Sequence, residues 1–183
     1  GDTVITALNA GLPVIDVTDI GGASAGSRLT IQDLRVTGGA HGVRVSALTA
    51  VRSFYRFDNV AAVANSGSGI DLQGPQNLGD IQVVNCILNN NNDGINVATG
   101  IPLFSALEVT GGEMRNNAFH GVIVNGGGSD ATDPLQHYTG ITVDGTDFDS
   151  NGNAGVTGSG HLTFFRFNGD ATIKNIALMT GRI

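Results

Sequence analysis

The chain has one lysine (Lys174) and one cysteine (Cys86) among 183 residues. With eight arginines against sixteen acidic residues the net charge is −7, which argues against nucleic acid and against anionic membrane surfaces as partners. A single cysteine excludes an internal disulfide, so cysteine usage does not fix the compartment. No apolar run approaches the roughly 20 residues of a membrane helix. No long stretch carries the 3.6-residue period, so helix should be scarce. The 28 glycines lack the collagen spacing and are expected in turns. The chain shows neither a signal peptide nor an initiator methionine, which fits an excerpt of a longer protein.

What is present is a repeat. Residues 29–45, 55–72, 81–97, 107–124 and 141–158 align on Ile31, Phe57, Val83, Val109 and Val143. These reference residues are 26, 26, 26 and 34 positions apart, an interval that signals a stacked array. Two positions earlier stand Leu29, Tyr55, Ile81, Leu107 and Ile141, the alternation of a strand with one buried face. Five positions later stand Val36, Ala62, Leu88, Met114 and Phe148. Eight positions later stand Gly39, Asn65, Asn91, Asn117 and Asn151, and then come the pairs Gly42-Val43, Gly69-Ile70, Gly94-Ile95, Gly121-Val122 and Gly155-Val156.

No unit closes a core alone; stacking lays the inward residues of one unit on those of the next. The pattern predicts three short strand pieces per unit, joined by tight turns. The slot of Asn or Gly is expected to be a bend with positive φ, which those two residues tolerate best. Stacked Asn side chains, about 4.8 Å apart, would bond along the column and satisfy amides costing roughly 1–3 kcal/mol each if buried unpaired. A β-sandwich or antiparallel barrel also suits short strands with Gly-rich turns, but neither requires Asn at one offset in four consecutive units.

The Asn column (Asn65, Asn91, Asn117, Asn151) and the Gly-Val/Ile steps after it resemble the right-handed parallel β-helix of the pectin-lyase-like superfamily. The resemblance covers residues 29–158. It implies an all-β, single-stranded, right-handed parallel β-helix of about six to seven coils. That fold hosts lyases, hydrolases, epimerases, adhesins and phage spikes, so the resemblance implies architecture more than activity. The whole chain is expected to be one β-helix domain, with five clear coils over 29–158 and a partial coil over 171–183. At that end Ala171, Ile173, Ile176, Leu178 and Gly181 restart the pattern; at the other, Val14 to Val17 read as the last strand of an earlier unit. Solenoid ends need caps, and none is legible unless residues 1–10 supply one, so the ends suggest an excerpt or a subunit stacking end to end.

Candidate chemistry is sparse. Asp147, Asp149 and Asn151 match the first half of a calcium loop, and their oxygens would suit a hard cation. The twelfth position, however, is Gly158 rather than Glu, and the repeat already explains Phe148 and Asn151. No other cofactor is indicated. The insertion over 125–139 accounts for the long fourth interval and carries Asp130, Asp133, His137 and Tyr138. Long loops on a rigid scaffold are where binding and catalysis concentrate. It leads into a strand whose outward neighbours include Arg56, Glu108 and Asp144. Glu108 and Asp144 are expected diagonally opposite on adjacent coils, about 7–8 Å apart, a range at which two carboxylates can work on a glycosidic bond. Against the superfamily's lyase, polygalacturonase and epimerase signatures, only Asp133-Pro134 followed by His137 is a loose echo, with different spacing.

Other tempting residues fall into repeat slots. Cys86 stands where Leu34 and Val60 stand, and should be a buried, inert hydrophobe. His41 and His120 each precede a Gly-Val step, about 14 Å apart along the axis, too far to share an ion. Arg44 and Asp71 share an outward slot in adjacent units, where an ion pair is worth roughly 0.2–1 kcal/mol. The reading is therefore an extracellular or cell-surface structural or adhesive segment. The alternatives are a carbohydrate-active or polysaccharide-binding protein using the 125–139 loop, and a filament subunit whose partners are neighbouring β-helix subunits.

Overall fold

The computed structural model describes residues 3–48, 53–75, 78–98, 101, 104–124, 141–152, 162–164, 171–174 and 177–180. The insertion, with its Asp133 and His137, lies outside these residues, as do Ile176 and Gly181. The described residues form strands and turns without helix. In chain order the strands begin with β1 (Thr3–Thr6), β2 (Ile15–Thr18), β3 (Leu29–Thr37), β4 (Val43–Ser46), β5 (Ser53–Val63) and β6 (Ser68–Gln73). There follow β7 (Leu78–Val84), β8 (Ile87–Asn89), β9 (Asp93–Val97), β10 (Phe104–Thr110), β11 (Glu113–Arg115) and β12 (His120–Val124). The last are β13 (Ile141–Asp144), β14 (Asp147–Asp149), β15 (Leu162–Phe164), β16 (Ala171–Lys174) and β17 (Ala177–Thr180).

Every pairing between these strands is parallel, and each strand pairs with its counterpart one coil away. The protein is a parallel β-solenoid. Its first face stacks the start of β3 and β5 with β7, β10, β13 and β16. Its second stacks β1, the ends of β3 and β5, and β8, β11, β14 and β17. The two faces count as one 11-stranded sheet because β3 and β5 run unbroken through the bend between them. The third face is a separate six-stranded sheet in the order β15-β12-β9-β6-β4-β2. The solenoid amounts to about four turns rather than six to seven. The higher number counted the incomplete end coils, of which the described residues hold β1 and β2 at one end and β16 and β17 at the other.

The register is the one the repeat implies. Ile31 pairs with Phe57, Phe57 with Val83, Val83 with Val109, and Val109 with Val143. The C-terminal echo pairs Ile173 with Val143 and Leu178 with Phe148. Inward side chains such as Tyr55, Ile81, Leu107 and Ile141 are buried, each worth about 1.5–3 kcal/mol.

Two backbone slots per coil are left-handed. One holds Asp33, Asn59, Asn85, Gly111 and Gly145; the other holds Gly38, Ala64, Asn90, Asn116 and Ser150. The Asn column lies one residue after the second slot and is itself not left-handed, which corrects the expected reason for Asn there. The column is selected by hydrogen bonding. Asn91 Oδ1 accepts the Asn65 backbone N–H and side-chain Nδ2, each at 3.0 Å, while its own Nδ2 donates to Ala62 O at 2.9 Å. Asn117 Oδ1 accepts from Asn91 N at 3.0 Å, and Asn151 Oδ1 from Asn117 N at 3.1 Å. At the top Gly39 N–H donates to Asn65 Oδ1 at 3.1 Å. The four side chains are at most 3% exposed, so these bonds act in low dielectric.

The glycines at 42, 69, 94 and 121 are required by approach rather than by φ. A Cβ on Gly94 would stand 2.4 Å from Gly121 O, and one on Gly42 would stand 2.6 Å from Gly69 O. The glycines thus form a second column beside the Asn ladder, where successive coils meet closely.

Candidate functional site

The outer surface of the first face carries the predicted carboxylate pair. Glu108 is in register with Gln82 and Thr142, while Asp144 is in register with Thr110, so Glu108 and Asp144 are diagonal neighbours. The expected relation is therefore present in the backbone. Glu108 Oε2 accepts Gln82 Nε2 at 2.8 Å, and Gln82 Oε1 accepts Arg56 Nη1 at 2.9 Å. Arg56 also donates Nε and Nη2 to Asp58 Oδ2, at 3.1 and 2.7 Å. Arg56 is two coils from Glu108 and reaches it only through Gln82. The row is a partly exposed polar ladder running parallel to the axis.

The calcium candidates do not converge. Asp147 and Asp149 flank the inward Phe148 on β14, and Asp147 is ion-paired with Arg115. Asp149 accepts Ser150 Oγ at 2.9 Å. Asn151 is turned into the core, where its oxygen accepts from Asn117 and its Nδ2 donates to Met114 O at 2.6 Å. Strand alternation puts the two aspartates outside and the ladder holds the asparagine inside, so the three cannot ligate one ion together. Among the described residues no group of three or more His, Cys, Asp or Glu side chains is placed to hold a metal.

The third face holds a constellation that the repeat did not foretell. Arg44 and Asp71 are in register, as expected, but Arg44 turns to Asp16 one coil back, at 3.4 Å. Asp71 is 0% exposed although it occupies an outward slot. Its carboxylate accepts Asn96 Nδ2 at 2.8 Å and also the Gln73 side-chain amide. His41 Nε2 stands 3.6 Å from it. His41 Nδ1 accepts the Ser68 backbone N–H at 3.1 Å, which leaves the proton of the neutral ring on Nε2, facing Asp71. At the same corner three coils further along the axis, His120 Nδ1 lies 2.7 Å from Asp93 Oδ1, beside the half-exposed Phe119 ring. Both histidines hold the repeat position before a Gly-Val step, as expected, but His120 opens β12 rather than lying in a turn, and each also faces a carboxylate. The signal was present in the alignment: Ser68, Asp93 and His120 share one slot, two residues before the inward Ile70, Ile95 and Val122.

No protein-family model, no curated protein and no solved structure matches the chain. The reading of these clusters therefore rests on geometry.

On the second face a groove of about 490 Å³ is lined by Asp33, Arg35, Asn59, Ala61 and Ile87. It exists because the outward column runs Arg35, Ala61, Ile87, with the small alanine between two long side chains. Cys86 behaves as its slot predicts. It is buried, and desolvation pushes its thiol from 9.0 up to about 11, so it is protonated and unreactive at neutral pH.

Proposed function

We propose that this chain is a stiff structural or adhesive segment of a larger extracellular or cell-surface protein, related to the pectin-lyase-like β-helices and without catalysis of its own. The observation that carries this reading is how the outer charges are used. Arg56 is engaged by Asp58 and Gln82, Gln82 by Glu108, Arg115 by Glu113 and Asp147, and Arg44 by Asp16. Each group ties one coil to its neighbour or to its own strand, as befits a rod that resists bending and proteolysis. The kinship rests on the Asn column and on the parallel three-faced coil; the surface setting rests on composition.

A second reading is a carbohydrate-active or polysaccharide-binding protein, favoured by the diagonal placement of Glu108 and Asp144. The purified chain, incubated with neutral and acidic polysaccharides, separates the two. The structural reading expects no new reducing ends and no unsaturated products. Depolymerisation by the wild type that is lost in Glu108→Gln and Asp144→Asn would sink it. Electron microscopy of the same sample separates a discrete rod from end-to-end filaments, the third arrangement in view.

A further inference from the structure

The four ladder asparagines are followed by Ser66, Asn92, Ala118 and Gly152. Only Asn151 precedes a glycine, and that changes its chemistry. The backbone nitrogen of the following residue can attack a side-chain amide carbon, and glycine, lacking Cβ, hinders that attack least. Gly152 N, having given its proton to base, bonds to Asn151 Cγ; the Cγ–Nδ2 bond breaks and ammonia leaves. The resulting succinimide takes up water at one of its two carbonyls and opens to aspartate or isoaspartate. One water is consumed, one ammonia is released, and nothing is oxidised or reduced.

In the folded coil both partners are held apart from this path. Asn151 is 0% exposed. Its Oδ1 accepts Asn117 Nδ2 at 2.8 Å and Asn117 N at 3.1 Å, and its Nδ2 donates to Met114 O at 2.6 Å. Gly152 N–H donates to Asn117 O at 3.1 Å, and Gly152 has φ of 111°. The attacking nitrogen and the leaving amide are therefore each anchored to a neighbouring coil, and water has no access to the carbon between them.

The product does not fit the place it came from. An aspartate at 151 accepts bonds but cannot donate to Met114 O, so a carboxylate would face a carbonyl in a fully buried site. Isoaspartate adds a methylene to the main chain and displaces Gly152, whose N–H is bonded to Asn117 O, from its place against the neighbouring coil. We infer that Asn151-Gly152 is a latent deamidation site held shut by the ladder, and that its opening turns reversible loosening of this coil into permanent damage. The ladder then protects the chain chemically as well as mechanically, and the lesion records how long the coil has been open.

The test uses the full chain in mildly alkaline buffer, with and without denaturant, followed by peptide mapping of all four ladder asparagines. Conversion at Asn151 should be on the order of a hundredfold slower in buffer than in denaturant, since reaction must wait for an opening. In denaturant it should outpace Asn65, Asn91 and Asn117. After refolding and gel filtration, the folded fraction should be depleted of modified Asn151. Equal rates with and without denaturant would overturn the inference, as would modified Asn151 recovered in the folded fraction at its input share. A wild-type melting midpoint for Asn151→Asp would overturn it as well.

Discussion

Two ladders run along this solenoid, one inside and one outside, and they differ in what surrounds them. The inner one joins Asn65, Asn91, Asn117 and Asn151; the outer one joins Asp58, Arg56, Gln82 and Glu108. Both step from coil to coil with bonds near 3 Å, the outer one from Arg56 to Gln82 to Glu108, with Asp58 beside Arg56 on the same strand. The inner chain is neutral and at most 3% exposed, whereas Arg56 and Asp58 are about a third exposed. Water competes for the outer bonds and not for the inner ones. Neutral amides in low dielectric therefore hold the coils in register, while charges in water add little.

The largest expected effect breaks the inner ladder. Asn91→Ala would leave Asn65 N, Asn65 Nδ2 and Ala62 O without partners, destabilising the fold by about 3 kcal/mol. Denaturant melts would measure it, and an unchanged midpoint would refute the ladder's role. Gly94→Ala probes the column beside it. With Gly121 O only 2.4 Å from the new Cβ, a coil must move, at a cost of about 1–3 kcal/mol. Gln82→Ala removes the centre of the outer ladder. It should cost less than about 1 kcal/mol and lose even that in high salt. A loss equal to that of Asn91→Ala would erase the contrast between the two ladders.

The smallest effect belongs to Cys86 at neutral pH. Because its folded thiol lies near 11 and its ordinary value is 9.0, the unfolded chain releases the proton first. Stability should be unaffected below pH 9.0 and should fall as pH rises from there towards about 11. Melting midpoints across that window, compared with those of Cys86→Ala, would check the sign.

Much of the backbone was legible in the chain itself. Strand register follows from period and alternation, because a slip of one residue would turn Phe57 and Val83 outward. The Asn column was legible for the same reason, although its cause was not. The left-handed φ sits one residue earlier, where Ala64 and Ser150 occupy it as readily as Asn90. Side-chain partners were the least legible part. Register put Arg44 beside Asp71, but a long side chain between two carboxylates chooses by rotamer, and it chose Asp16. That choice left Asp71 to Asn96 and Gln73, and a surface slot became a buried carboxylate. The apparent calcium loop failed because alternation along β14 divides its oxygens between two environments.

The Asn117 to Asn151 bonds span 34 residues where the preceding ladder bonds span 26, and their lengths are alike. The ladder thus counts coils and is indifferent to how much chain lies between them. The extra length enters where the third face gives way to the next first face, a connection of 16 residues between Val124 and Ile141 but only four between Gln73 and Leu78. That corner is a natural grafting point. A foreign peptide spliced after Gln73 or Val97 would leave inner bonding and register as they are, and the rod would display cargo at intervals of one coil, about 4.8 Å.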